Sequence, residues 1–221
     1  MKKYLCIIFD VDGTLTQTNE LIFASINFIS NKYLGKTFAP ADITAMFGPP
    51  DEGAILNLVG KESSDAAMDD FIDYYKSNHA AMARLYPGVN ELLDYLKQSG
   101  LILAVFTGKG RRSAMITLQE LGIAKYFDMI VSGSDVVNHK PSAEGIQKVI
   151  SYFGLDKNQV LMVGDAVADV KAAHEAGIQI AAVVWDSYGK EKVKNMKVDY
   201  YFESVNDLSS FLKSNIQGEA N

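Results

Sequence analysis

The chain has 221 residues and a single cysteine, Cys6, so there is no second thiol to close an internal disulfide. A lone cysteine fits a reducing cytoplasm, and in an apolar stretch it is expected to be a small core residue. Long apolar runs are also missing. Lys2 and Lys3 precede a run that stops at Asp10, too short for the apolar region of a signal peptide, and no stretch is long enough to cross a membrane. Positive charge is in deficit. The 21 Lys and Arg face 27 Asp and Glu, a formal net charge of −6, which argues against a nucleic-acid backbone as partner. Internal repeats and low-complexity stretches are absent too. What is present, 48% hydrophobic and 22% charged residues, suits a soluble globular protein of one large domain or two small ones.

The stretch Tyr4–Thr16, YLCIIFDVDGTLT, organises the rest. Its apolar run Tyr4–Phe9, ending near a turn signal at Gly13, predicts a strand buried on both faces. Side chains two apart on a strand point the same way, so Asp10 and Asp12 are expected at one site beyond its carboxyl end. From about Gln17 to Ala83 the pattern predicts helices and no strand. One starts after Thr18 or Asn19 as cap and runs to Leu34; the others cover Pro40–Phe47, Asp51–Val59 and Asp65–Arg84. In the last, Met68, Phe71, Ile72, Tyr75, His79 and Met82 form an apolar stripe, with His79 expected as a packed residue rather than a ligand.

After Pro87, strands and helices alternate. Strands are predicted at Leu101–Phe106, Met129–Val131, Val160–Val163 and Ile180–Val184, with an edge strand at Tyr200–Phe202. Helices are predicted at Val89–Gln98, Arg112–Leu121, Ser142–Phe153, Ala166–Ala176 and Val205–Lys213, and the tail from Ser214 is expected to fray. This is the pattern of an α/β fold with a doubly wound parallel sheet. Residues 1–16 and 84–221 would form the core domain, and residues 17–83 an inserted α-helical cap domain.

Polar clusters follow separate strands or their connections: Asp10 with Asp12, Thr107, Lys140, and Asp165 with Asp169. In a parallel sheet the carboxyl ends of all strands lie on one edge, so residues far apart in sequence converge there. A strand-end carboxylate such as Asp10 can attack phosphorus, provided that cations offset the like charge. Mg²⁺ favours carboxylate and carbonyl oxygens, and Asp165 with Asp169, near one face of a helix's first turn, suits it. Acids at that position also simply favour the helix dipole. Lys140 would balance Asp10 and a phosphate as a point charge. Thr107 would donate its hydroxyl to a phosphate oxygen, and the amides of Gly108 and Lys109 would form a small anion nest. Asp12 would serve as general acid and then base.

The motifs FDVDGTLT, FTG, HKP and GDAVAD resemble the haloacid dehalogenase superfamily from Ile7 to about Asp169, and the helical insert resembles its phosphoglycolate phosphatase and β-phosphoglucomutase branch. The resemblance implies an aspartyl-phosphate enzyme with Asp10 as nucleophile and Asp12 as acid/base. Thr107 and Lys140 would hold the phosphate. Mg²⁺ would be bound by Asp10, the main-chain carbonyl of Asp12 and Asp165, with Asp169 acting through water. Two positions depart from the pattern: Gly108 stands where Asn often follows the Thr, and Ala166 where Ser often follows Gly-Asp.

The expectation is a Mg²⁺-dependent phosphatase acting on a small phosphorylated metabolite, as a monomer or homodimer. A sugar-phosphate mutase or a pyrophosphatase is the alternative. Gly164-Asp165, where mutases typically show Glu-Asp, favours hydrolysis. A phosphoaspartate receiver is disfavoured by the insert. Phe47-Gly48-Pro49-Pro50 resembles a substrate-reading cap loop, so Gly48 and Pro49 are candidate substrate contacts, as is Glu20 near the hinge. Lys109, Arg111 and Arg112, and likewise Lys190, Lys192, Lys194 and Lys197, are either anion contacts or ordinary solvated charges.

Overall fold

The computed structural model describes residues 4–216. Strand β1 (Cys6–Phe9) is buried along its whole length. Ile7 and Phe9 enter one apolar cluster, and Cys6 and Ile8 enter a second on the opposite face. This is why the run is continuously apolar rather than alternating. Six parallel strands make the sheet: β1, β4 (Ile102–Phe106), β5 (Met129–Val131), β6 (Val160–Gly164), β7 (Gln179–Val183) and β8 (Tyr200–Phe202). Their spatial order is β5-β4-β1-β6-β7-β8, so β1 is central and the order reverses beside it. Helices α5 (Val89–Gln98), α6 (Arg111–Glu120) and α10 (Val205–Ile216) cover the Ile7/Phe9 face. Helices α7 (Glu144–Phe153), α8 (Val167–Ala176) and the short α9 (Lys190–Lys194) cover the other. Full burial of a large apolar side chain contributes about 1.5–3 kcal/mol. Ile7, Ile8 and Phe9 therefore anchor the strand firmly enough to carry a cluster of buried acids at its end.

Between β1 and α5 lie four helices, α1 (Asn19–Leu34), α2 (Pro40–Ala45), α3 (Asp51–Val59) and α4 (Ser64–Met82). They enclose an apolar cluster of their own, in which Leu21, Ile26 and Ile29 of α1 meet Met68, Phe71, Ile72 and Tyr75 of α4. His79 is buried in α4 as expected, and neither of its ring nitrogens has a hydrogen-bond partner.

The helical segment holds a surprise at its ends. Thr16–Gln17 (β2) and Arg84–Leu85 (β3) pair antiparallel, Thr16 opposite Leu85 and Gln17 opposite Arg84. The expected helix to Arg84 accordingly stops at Met82, because Ala83 is already extended. Two-residue strands are too short to show a period, so sequence pattern misses them. The tail also differs: α10 runs through Ser214 to Ile216, whose burial holds it against the sheet, and the remainder of the expected frayed tail lies outside the described residues. Among the described residues no helix is long and apolar enough to cross a membrane.

Cys6 is fully buried, and burial, with the nearby Asp128 carboxylate, pushes its thiol up to about 12. The native protein is therefore expected to resist a thiol-alkylating reagent at neutral pH and to react within minutes in denaturant; mass spectrometry checks it, and rapid native labelling would contradict the buried strand.

Candidate active site

The first carboxylate stands where β1 ends. Asp10 donates its amide to the Val163 carbonyl at 2.9 Å, so the chain is still tied to β6 as it reaches the sheet edge. It then turns within Val11–Thr16: the amides of Leu15 and Thr16 and the Thr16 hydroxyl all donate to the Val11 carbonyl. Gly13 takes φ +78°, and a Cβ there would lie 2.5 Å from Asp165 Oδ2. Only glycine meets both demands, a left-handed backbone and the close approach of a carboxylate.

Lys140 arrives from the loop before α7. Its Nζ lies 2.9 Å from Asp10 Oδ1 and 2.6 Å from Asp169 Oδ1, and 4.7 Å from the centre of the Phe106 ring. Asp165 follows β6; its Oδ1 accepts from the Thr14 hydroxyl at 3.1 Å and its main-chain carbonyl from Ser187 at 2.8 Å. Asp169 lies in the first turn of α8, and its other oxygen accepts from the Ala166 amide at 2.9 Å. The capping and functional readings of Asp169 thus hold together: one oxygen closes the helix and the other meets Lys140.

Asp10, Asp165 and Asp169 are all buried and offer oxygens within 4.8 Å of one another. Burial, first, and then the Asp169 and Asp12 carboxylates push Asp10 up to about 7 against the pull of Lys140. Burial, first, and then the Asp10 and Asp169 carboxylates raise Asp165 well above the usual carboxylate range. Burial alone would lower the Lys140 ammonium; Asp10 and Asp169 outweigh it and hold it above its ordinary value. One ammonium among three buried acids leaves the group short of positive charge. A hard divalent cation fits that oxygen-rich set and would relieve the crowding.

Asp12 faces elsewhere. Its Oδ1 accepts from the Thr18 hydroxyl and its Oδ2 pairs with Lys109 at 3.1 Å, so its carboxylate stands apart from the other three acids. Thr18 makes no side-chain cap for α1; its hydroxyl is committed to the acid instead. Lys109 is buried, with its ammonium 4.7 Å from the centre of the Tyr75 ring of α4. Burial would lower it, but Asp12, Tyr75 and Asp51 more than compensate. Thr107, 1% exposed, also faces the cavity, and its Oγ1 accepts from the Lys109 amide at 3.3 Å. The expected nest therefore has one amide already engaged.

These residues floor a cavity of about 710 Å³ whose roof is the helical segment, with Gly48 and Pro49 in its wall. Glu20 is a correction: it is exposed and does not reach the cavity, because one residue earlier, Asn19, takes that face of α1. Arg111 and Arg112 do not line the cavity either. They pair on the surface with Asp135 and Asp69. Lys190 pairs with Glu203, while Lys192 does line the cavity. Asp51, the last residue of the candidate Gly48–Asp51 stretch, accepts from the Gly110 amide at 3.1 Å and from the Ser113 hydroxyl, tying α3 to the loop after β4. Sequence reasoning missed that tie. It also missed Ser187 and Tyr188, in a segment with no motif or periodicity to mark them.

A family model for haloacid dehalogenase-like hydrolases matches residues 7–183. The chain belongs to that family. Among curated proteins the hydrolase is 33% identical over 207 residues to the pyrophosphatase PpaX of Bacillus velezensis, covering 94% of this chain and 95% of the relative. Among solved structures it is similar to a protein from Haemophilus somnus described as a predicted phosphoglycolate phosphatase, with 25% identity, a TM-score of 0.81, and coverage of 96% of this chain and 99% of that one. A predicted phosphatase from Clostridium acetobutylicum matches at 26% identity and a TM-score of 0.77, covering 96% and 99% of the two chains. The family match spans every cluster quoted from the sequence, from Asp10 to Asp169.

Removing one partner of a buried ion pair costs roughly 3–5 kcal/mol. Lys140→Met is therefore expected to lower the unfolding free energy by about 3 kcal/mol or more, and adding Asp10→Asn to restore part of it by removing a like charge. Urea titrations of the single and double variants measure this; a double variant no more stable than Lys140→Met would show that charge crowding does not set the cost.

Proposed function

We propose that the protein is a Mg²⁺-dependent phosphatase that hydrolyses a small phosphate monoester through an aspartyl-phosphate on Asp10. The observation that carries this reading is the division of labour at the end of β1. Asp10 lies beside Lys140, Asp165 and Asp169, while Asp12 is held separately by Thr18 and Lys109.

In this reading an oxygen of Asp10 attacks phosphorus, and the bond from phosphorus to the ester oxygen breaks. Asp12 gives its proton to the departing oxygen. Water then attacks the aspartyl-phosphate, Asp12 takes the proton, and phosphate leaves with Asp10 restored. Lys140 and the Thr107 hydroxyl hold the non-bridging oxygens, and Lys140 keeps Asp10 oriented. Asp10 and Asp165, with the main-chain carbonyl of Asp12 and with Asp169 through water, would hold Mg²⁺, which supplies positive charge against the phosphate. Thr18 and Lys109 grip both oxygens of Asp12, so the acid is positioned before substrate arrives.

Residues 17–83 act as a cap over the core domain of residues 1–16 and 84–221. The cavity between them limits the access of water to the first step and admits a small metabolite. A cytoplasmic monomer or homodimer fits the single reduced cysteine and the absence of a long apolar run.

Asp10→Asn is expected to lower turnover by about four orders of magnitude or more with the melting temperature kept within a few degrees, and excess chelator is expected to abolish turnover of the native chain. Release of inorganic phosphate measures both. A folded Asp10→Asn protein with near-native turnover would remove Asp10 as nucleophile, and full activity in chelator would remove the metal.

A further inference from the structure

The cavity is larger and less polar than a phosphate needs. Its volume, about 710 Å³, is of the size that encloses a whole organic ligand. The catalytic acids and lysines occupy its floor. Above them much of the wall is apolar, interrupted by Asn19 and Thr44: Ile22 of α1, Ala41 and Ala45 of α2, and Pro49 from the helical segment, with Tyr188 from the loop after β7.

Two aromatic rings in this wall are left facing solvent, Phe47 at 50% and Tyr188 at 62% exposure. Phe47 comes from the helical segment and Tyr188 from the loop after β7, and the two are linked through one ring. Phe23 of α1 stacks on Phe47 with centroids 6.4 Å apart and meets Tyr188 edge-on at 5.6 Å. Exposed aromatic surface gathered at the mouth of a cavity suits contact with an apolar ligand.

Charge points the same way. Five carboxylates line the cavity, those of Asp10, Asp12, Asp51, Asp165 and Asp169, against three lysines. Two of the lysines are already paired, Lys140 with Asp10 and Asp169 and Lys109 with Asp12. The third, Lys192, is exposed. Among the described residues the helical segment supplies no cation to the cavity; its one carboxyl group there is that of Asp51. A second phosphate beyond the scissile bond would find no cation on the helical segment to pair with.

Resting on the phosphatase reading, we infer that the leaving group is an uncharged, largely apolar alcohol of about the size of a ring, seated between Phe47 and Tyr188. Pyrophosphate is then a poor substrate, although relatives of this chain carry the name pyrophosphatase.

The test compares kcat/KM of the Mg²⁺-supplied full chain for benzyl phosphate, methyl phosphate and pyrophosphate. Benzyl and methyl alcohol are nearly equal as leaving groups, so the ratio of the two esters reports binding of the ring rather than ease of bond cleavage. Benzyl phosphate is expected to exceed methyl phosphate by roughly 10- to 100-fold and to exceed pyrophosphate. Phe47→Ala and Tyr188→Ala, both at exposed positions that leave the core intact, are each expected to cut the benzyl-to-methyl ratio about five- to tenfold, with kcat/KM for methyl phosphate nearly unchanged. A preference for pyrophosphate, a benzyl-to-methyl ratio near one, or equal losses on both esters in the two variants would overturn the inference while leaving the phosphatase reading in place. Hydrolysis of none of the three, with no phosphorylation of Asp10, would overturn both.

Discussion

The site depends on one ammonium. Lys140 is the only cation in contact with Asp10 among the described ion pairs, and it touches Asp169 as well. Asp10 follows β1 and Asp169 belongs to α8, so the contact joins the central strand to the helix after the neighbouring strand β6. A buried pair of this kind is not an economical source of stability, since desolvation consumes much of the attraction. Its value lies in geometry. Two carboxylates that would repel each other are held at a shared point, with a third, Asp165, kept beside them by the hydroxyl of Thr14.

The parallel sheet makes this arrangement cheap to assemble. Asp10, Thr107 and Asp165 each come just after a strand of one sheet, and strand register sets their spacing: Phe9 lies opposite Val105 on one side and Val163 on the other. The side chains need only leave the sheet edge to meet. Small residues then permit the close approach. Gly13 admits Asp165, and Gly164 admits the Asp169 carboxyl group, which a Cβ there would meet at 2.5 Å. The dense apolar burial of β1 and β6 supports a group of acids that no isolated loop would hold.

The strands and the convergent acids were legible in the sequence because both leave local marks. Buried strands are continuous apolar runs, and the chemistry sits directly after them, at Asp10, Thr107 and Asp165. Four helices between Gln17 and Ala83 were legible for the same reason, through their apolar stripes and glycine stops. What escaped was long-range and polar. Nothing near Lys109 marks it as buried; it is drawn in by Asp12 from one side and by Tyr75 from the other, residues distant in sequence. Thr18 reads locally as a helix cap, and only the fold reveals that its hydroxyl serves Asp12. Glu20 failed by one residue, because a helical face turns by about 100° per position and Asn19 is the one directed at the cavity. The short pairing of Thr16–Gln17 with Arg84–Leu85 is likewise invisible until both crossings are seen side by side.

That pairing has a mechanical meaning. Two separate covalent crossings would let the helical segment twist and slide independently at each. Hydrogen-bonded together, they form a single strap, and Thr18 sits one residue beyond it. The Thr18 hydroxyl holds Asp12 from the helical segment's side of that strap, and Lys109, on the loop after β4, holds it from the sheet's side. The acid is thus a rivet between the two parts of the chain, gripped by one residue from each.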